Sequence, residues 1–259
     1  MTAILILLGW GLGVVINALA DSLPYHLPPA WPRCPACGAP RPPAAVSGLL
    51  GLLAGEGRCA YCGTGRGARA PAVELIALLG GPALGLAYTS PVELASALAV
   101  SAVFLLIVIT DLEHRLILNA VVLPAAMLFA VAGALDPARG PLKTLLGCLV
   151  GFVTFYLLYL LGGLFGRAAG RLRGKPLSEV PFGFGDVNLA GLIGLILGWP
   201  GVLVGLALGI FAAGAFSLLF LAWMAARRRY SAFTPFPYGP FLILGALAVY
   251  FRVWNAFDA

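Results

Sequence analysis

About eight apolar runs, each long enough to cross a bilayer, leave this chain little choice of fold. They cover residues 2–20, 71–89, 92–110, 117–135, 142–165, 183–199, 201–224 and 239–256. A helix needs roughly 17–25 mostly apolar residues to cross the hydrocarbon layer. In lipid, every backbone N–H and C=O must find a partner within the protein, and a helix provides those partners segment by segment. The expected fold is an all-α polytopic membrane protein with about eight transmembrane helices. Composition agrees: 61% of residues are hydrophobic and 10% charged, with a mean hydropathy of +0.99, whereas soluble domains are about a quarter charged. Pro91 and Pro200-Gly201 mark tight turns between consecutive spans. The first run has no basic stretch before it and no clear cleavage site, so it reads as a retained span rather than a removed signal peptide. No internal repeat is evident.

The net charge of +6 concerns orientation in the membrane. Arg139, Lys143 and Arg252 fall on one side of the expected topology. The remaining thirteen of the sixteen Lys and Arg fall on the other, including Arg33, Arg58, Arg115, Arg171 and Arg227 to Arg229. Basic loops stay in the cytoplasm, so both termini are expected outside. These basic residues are spread over short loops, which argues against nucleic acid as a partner. Three regions follow: a first helix at 1–20, a hydrophilic insert at 21–70 on the cytoplasmic side, and a membrane core at 71–259.

The insert holds Cys34-Pro-Ala-Cys37 and Cys59-Ala-Tyr-Cys62. Two CxxC pairs supply four thiolates at the spacing of a structural zinc knuckle. Gly38 and Gly63 follow the pairs and allow the tight turn each needs. Two disulfides, or a redox CxxC, are the alternatives; a reducing cytoplasm speaks against the first. Four thiolates leave no open coordination position, which argues against catalytic zinc. Cys148, inside a span, reads as a small packing residue.

Two carboxylates stand out at the edges of apolar runs: Asp111 in Val108-Ile-Thr-Asp-Leu-Glu-His-Arg115, and Asp186 in Gly183-Phe-Gly-Asp186. An ionisable group at that depth is costly and usually functional, although a helix end reaching the headgroups would also explain Asp111. Both fall at cytoplasmic ends of spans. Two carboxylates sharing one proton are the minimum equipment of an aspartic protease. Gly183 and Gly185 give the chain before Asp186 freedom to unwind or to approach another segment. Asn17, inside the first span, needs a partner. Glu74 and Glu113 lie near span ends and, with Glu179, are candidates for attracting a basic substrate segment; Glu74 also suits the first turn of its helix. A proton- or metal-coupled transporter using the same carboxylates is the competing function. It would place them near mid-membrane on discontinuous helices in paired halves, and no such symmetry is visible. A catalytically inert zinc scaffold would explain the cysteines but not the Gly-x-Gly-Asp.

Taken together, these motifs resemble the bacterial type IV prepilin peptidases, a family of Gly-x-Gly-Asp intramembrane aspartyl proteases. The resemblance runs over nearly the whole chain: Asn17 and Leu23-Pro24, the Cys34 to Cys62 insert, Arg69 to Leu75, Asp111-Leu-Glu-His-Arg-Leu-Ile, Gly183 to Val187, and Phe236-Pro-Tyr-Gly-Pro-Phe-Leu242. It departs at Ser22, where the family usually has Arg, and at Asn188, where it usually has Lys. The resemblance implies a membrane endopeptidase of the bacterial inner membrane. Such an enzyme removes the basic leader of type IV prepilins or type II secretion pseudopilins, with Asp111 and Asp186 catalytic and Cys34, Cys37, Cys59 and Cys62 on zinc. It also implies N-methylation of the new N-terminus from S-adenosylmethionine, although no glycine-rich Rossmann fingerprint is present.

Overall fold

The computed structural model describes residues 2–26, 33–34, 36–65, 67–173, 183–227 and 237–257. Each expected apolar run is a helix: α1 (Thr2–Ser22), α3 (Arg69–Ala87), α4 (Pro91–His114), α5 (Asn119–Leu135), α6 (Gly140–Arg173), α7 (Phe184–Leu197), α8 (Gly201–Ala226) and α9 (Gly239–Phe257). A ninth helix, α2 (Gly48–Leu53), lies in the insert. The described residues contain no β-strand, only two isolated bridges, Arg33 with Pro40 and Arg58 with Gly65. Among the described residues, five helices are long and apolar enough to cross a membrane, and α5, α7 and residues 239–251 of α9 are shorter apolar helices. The chain is a multi-pass membrane protein.

Two boundaries differ from expectation for physical reasons. Residues 166–173, expected in a basic loop, continue α6. The run Arg167-Ala-Ala-Gly-Arg-Leu-Arg173 is rich in good helix formers, and no proline interrupts it before Pro176. α4 likewise runs one turn past the apolar residues, so Asp111 lies within the helix, three residues before its end. The expected basic or acidic positions Lys175, Glu179, Arg228 and Arg229, and Phe236 of the last motif, lie outside the described residues.

The chain forms two compact units, Met1–Thr110 and Asp111–Ala259, divided within α4. In the first, α1 packs against α3 at close range. A Cβ at Gly13 would stand 2.8 Å from the Glu74 backbone, and one at Gly81 2.6 Å from the Leu5 carbonyl oxygen. Small residues let helices approach closely where lipid supplies no hydrophobic drive between them. In the second unit α7 is the central element. Nine of its fourteen residues are buried, from Val187 and Leu189 to Ile196, and it packs on α5, α6, α8 and α9. Gly147 and Gly151 of α6 meet Gly194 and Ala190 of α7 backbone to backbone. Outward residues such as Leu142, Leu149, Phe211 and Leu218 are exposed, as a lipid-facing shell requires.

Candidate active site and metal centre

Asp111 is 5% exposed. The helix stops three residues later, where Arg115 takes a left-handed φ of 55° and its N–H closes on the Asp111 carbonyl at 2.9 Å. The Asp111 carboxylate points to the start of α9, where Oδ2 accepts the Gly239 N–H at 3.1 Å. The N-terminus of a helix favours a negative charge. Glycine is required there, because a Cβ on residue 239 would lie 2.5 Å from Asp111 Oδ2.

Asp186 occupies the third position of α7, and its Oδ2 accepts the Gly183 N–H at 3.1 Å. Neither glycine of the motif has a positive φ: Gly183 is extended, at φ −81° and ψ 154°, and Gly185 is helical. Of the two roles expected for them, Gly185 performs the close approach. A Cβ there would come within 2.9 Å of Ile117 Cβ. The Ile117 side chain also lies 3.6 Å from the Cβ position of Gly239. One isoleucine therefore abuts both the start of α7, which carries Asp186, and the start of α9, whose Gly239 N–H binds Asp111. Beside Asp186, Asn188 donates to Asn119 Oδ1 at 2.9 Å, joining α7 to the start of α5. Glu113 is exposed, with His114 Nε2 3.9 Å from its carboxylate.

Glu74 does something different from what its position suggests. It is completely buried. Its carboxylate accepts the N–H of Gly48 at 2.6 Å and of Leu49 at 3.1 Å, the Ser47 hydroxyl, and the Asn17 amide at 3.2 Å. Asn17 donates to the Ala70 carbonyl at 2.9 Å too, and Trp10 Nε1 donates to Ser47 Oγ at 3.2 Å. The carboxylate thus caps α2 and fastens the insert to α1 and α3. It does not face a substrate in solvent, which corrects the expectation that it attracts basic residues there. Glu74→Ala should cost about 3–5 kcal/mol of stability, because several buried donors lose their acceptor together. Glu74→Gln should cost roughly 1–3 kcal/mol, since an amide can turn only one acceptor towards them. Thermal unfolding in detergent, with limited proteolysis of the insert, measures both.

The four insert cysteines are free thiols whose sulfurs all lie within 4.8 Å of one another. Cys34 to Cys62 and Cys37 to Cys59 are 3.7 Å apart. Four sulfurs about 2.3 Å from a tetrahedral ion stand about 3.8 Å from each other, so the cluster fits zinc, and 3.7 Å is far beyond a disulfide bond. The two knuckles are built alike. Gly38 and Gly63 both have φ 70°, and their N–H groups close on the Cys34 and Cys59 carbonyls at 2.8 and 2.9 Å. Burial pushes the Cys34 thiol up, but the Arg41 guanidinium and nearby backbone N–H groups outweigh it and bring it to about 6. At Cys37 the Ala39 backbone pulls the thiol down, yet the neighbouring sulfurs and burial push it up to about 12. Four adjacent thiolates repel one another unless a cation lies between them.

The described fold and sites define a multi-pass helical membrane protein with two carboxylates at helix ends, Asp111 and Asp186, and a four-cysteine cluster in a polar insert. Residues 98–218, which contain both Asp111 and Asp186, match the type IV leader peptidase family. The prepilin leader peptidase/N-methyltransferase of Burkholderia pseudomallei strain 1026b is 29% identical over 234 residues, covering 89% of this chain and 71% of that protein. The protein of the same name from strain K96243 is 29% identical over 277 residues, covering 96% of this chain and 84% of its own. No solved structure matches. The family that the motifs resemble is also the one these comparisons match. Ser47 and Asn119 carry no local signal in the sequence, and their partners lie far along the chain. Ile117 and Gly239 were visible only as parts of the Asp111 motif and the last motif.

Proposed function

We propose that this chain is an aspartyl endopeptidase that removes the basic leader of type IV prepilins or type II pseudopilins at the cytoplasmic membrane boundary. The observation that carries this reading is Asp111 and Asp186 in the family-matched segment, each carboxylate fixed by one backbone N–H, with Ile117 against both Gly185 and Gly239 beside them. The pair holds one proton between them. The ionised carboxylate takes a proton from water as its oxygen adds to the scissile carbonyl carbon. The protonated one supports the developing oxyanion. The C–N bond then breaks, and a proton passes from the pair to the leaving amine. Residues 71–259 form the protease core in this reading, and residues 21–70 the insert.

The length of α7 supports the depth of the site. Its 14 residues extend about 21 Å, less than a hydrocarbon core of about 30 Å. At the far end of α7, Arg139 donates to the Ile196 carbonyl and pairs with Asp136 at 2.7 Å. Charged groups therefore sit at that end, and the Asp186 end stops short of the opposite headgroups. Each described span is one continuous helix, which leaves the transporter reading without its broken helices.

Zinc would be held by Cys34, Cys37, Cys59 and Cys62, where it orders the insert; with four thiolate ligands it has no place for a substrate. N-methylation of the product with S-adenosylmethionine is part of the proposal on the strength of the relatives' name and the insert, and no residue is assigned to it. The test is purified protein incubated with a candidate prepilin, followed by mass spectrometry of the product. Loss of the leader supports the peptidase, and one added methyl on the new N-terminus supports the second activity. Intact prepilin after incubation with folded, zinc-loaded protein overturns the proposal.

A further inference from the structure

Not all of the insert is hydrophilic. Residues 44–54, Ala-Ala-Val-Ser-Gly-Leu-Leu-Gly-Leu-Leu-Ala, carry no charge. An apolar run of about 10–14 residues is too short to span a bilayer and is the length of a buried, interfacial or re-entrant segment. Its helix, α2, is covered on one side only. Gly48 and Gly51 are buried, and a Cβ at Gly48 would lie 2.7 Å from the backbone of Ala70 and Pro71 in α3. On the outer side Leu50, Leu52 and Leu53 are 43%, 63% and 83% exposed. Three neighbouring leucines turned outward from a polar insert mark a contact surface.

The packing partners give the depth of that surface. Asp21 pairs with Arg69, joining the last turn of α1 to the first residue of α3. Such charges belong at the level of the headgroups. Glu74, which accepts the Gly48 and Leu49 N–H groups, lies five residues along α3 from Arg69, about 7.5 Å inside that level. Trp10, which donates to Ser47, stands twelve residues before the end of α1, about 18 Å along its axis. Both α1 and α3 are long and apolar enough to cross the membrane. The start of α2 therefore lies beside their spans, not beyond them.

The backbone of α2 is closed in the way such a setting requires. The first N–H groups of a helix have no partners within it. Here Glu74 takes those of Gly48 and Leu49. Ser47 Oγ takes that of Leu50 at 3.1 Å, and the Ser47 carbonyl that of Gly51 at 3.0 Å. At the other end the N–H groups of Ala54, Gly55 and Glu56 return to the carbonyls of Leu50, Leu52 and Gly51. Water caps an exposed helix end without a buried carboxylate; at membrane depth the protein must provide the cap itself.

We infer that α2 is an interfacial segment seated in the leaflet on the insert's side, with Leu50, Leu52 and Leu53 among lipid acyl chains. The occupant of this face is the bilayer that surrounds α3, whose Leu75, Ile76 and Leu79 are likewise exposed. The two cysteine knuckles flank α2 in the chain, so this contact holds them at the membrane surface.

The test uses full-length, zinc-loaded protein in lipid nanodiscs. A ketone-bearing amino acid in place of Leu53 carries an environment-sensitive fluorophore, which leaves the cysteines unlabelled. The same label in place of Leu75 on α3 is the lipid reference. Quenching is measured with lipids bearing a nitroxide high on the acyl chain, and with iodide in the water. The label at position 53 should be quenched by the nitroxide lipid to within about twofold of the label at position 75, and by iodide at least about threefold less than the free dye. A label quenched by iodide like the free dye, or shielded from both quenchers as a protein partner or second copy would shield it, overturns the inference. The variant Leu52→Asp/Leu53→Asp, read by the same label in place of Leu50, should lose about half or more of the nitroxide quenching, because charge is costly among acyl chains. Unchanged quenching in that variant also overturns it.

Discussion

Asp111→Asn and Asp186→Asn should each lower leader cleavage by roughly 10³-fold or more while the protein stays folded. An amide neither removes a proton from water nor donates one as a carboxylic acid does, and the remaining carboxylate cannot fill both roles at once. Asparagine keeps an oxygen that can still accept the Gly239 or Gly183 N–H, so the helix ends that these bonds fix should survive. Combining the two substitutions should add little to either one, because each removes the same shared proton. Gly239→Ala should act on Asp111 from the other side. Its methyl would stand 2.5 Å from Oδ2 and must push the carboxylate out of place, so activity should fall steeply with both carboxylates intact. Single-turnover cleavage rates, with thermal unfolding as a control for folding, measure all of this. Either asparagine variant, if folded and cleaving within tenfold of wild type, would remove the dyad from consideration.

What could be read from the chain beforehand depended on how local its cause was. The eight apolar helices were legible because each is fixed by its own run of side chains and by the cost of unpaired backbone in lipid. The knuckles were legible because two cysteines, a turn and a glycine lie within five residues. Asp111 and Asp186 stood out because a charge in an apolar run is anomalous by itself. The contacts that organise these groups were not legible in this way. Gly239 donates to Asp111 across 128 positions, and nothing near either residue announces the bond. From the sequence Glu74 reads as a favourable first-turn charge, but α3 begins earlier, at Arg69, and Glu74 lies in its second turn. Its carboxylate instead reaches α2, a six-residue helix too short to be read from periodicity. Ile117 looks like one more aliphatic residue until the approach of Gly185 and Gly239 gives it a place. Pattern identifies the groups that carry charge or bind metal, and long-range packing decides which of them hold the others in position.

Removing the metal should have the second large effect, and it should be confined to the insert. Purified protein is expected to contain one zinc per chain, and Cys34→Ser or Cys59→Ser should abolish its retention. These two cysteines are the buried pair of the cluster, and their backbone N–H groups bind the Ala39 and Thr64 carbonyls at 2.8 and 3.0 Å. Each therefore joins the metal to the hairpin that closes its own knuckle. Small knuckles of this kind fold with their metal, with apparent binding free energies of about 10–16 kcal/mol at neutral pH. Beyond the Glu74 network at the start of α2, little else holds the two knuckles: α2 has six residues, and Tyr61 and Leu53 are exposed. Without zinc, the chain from Arg33 to Gly65 should become accessible to protease. Glu74 and Asn17 would still hold the start of α2, and the gly-lined contacts of α6 with α7 would be untouched, so the helical content of the spans should change little. Elemental analysis, limited proteolysis and circular dichroism on wild type, the two variants and chelator-treated protein separate these outcomes. Zinc-free native protein, or an insert equally protected with and without metal, would show that the cysteines do not fold this segment around an ion.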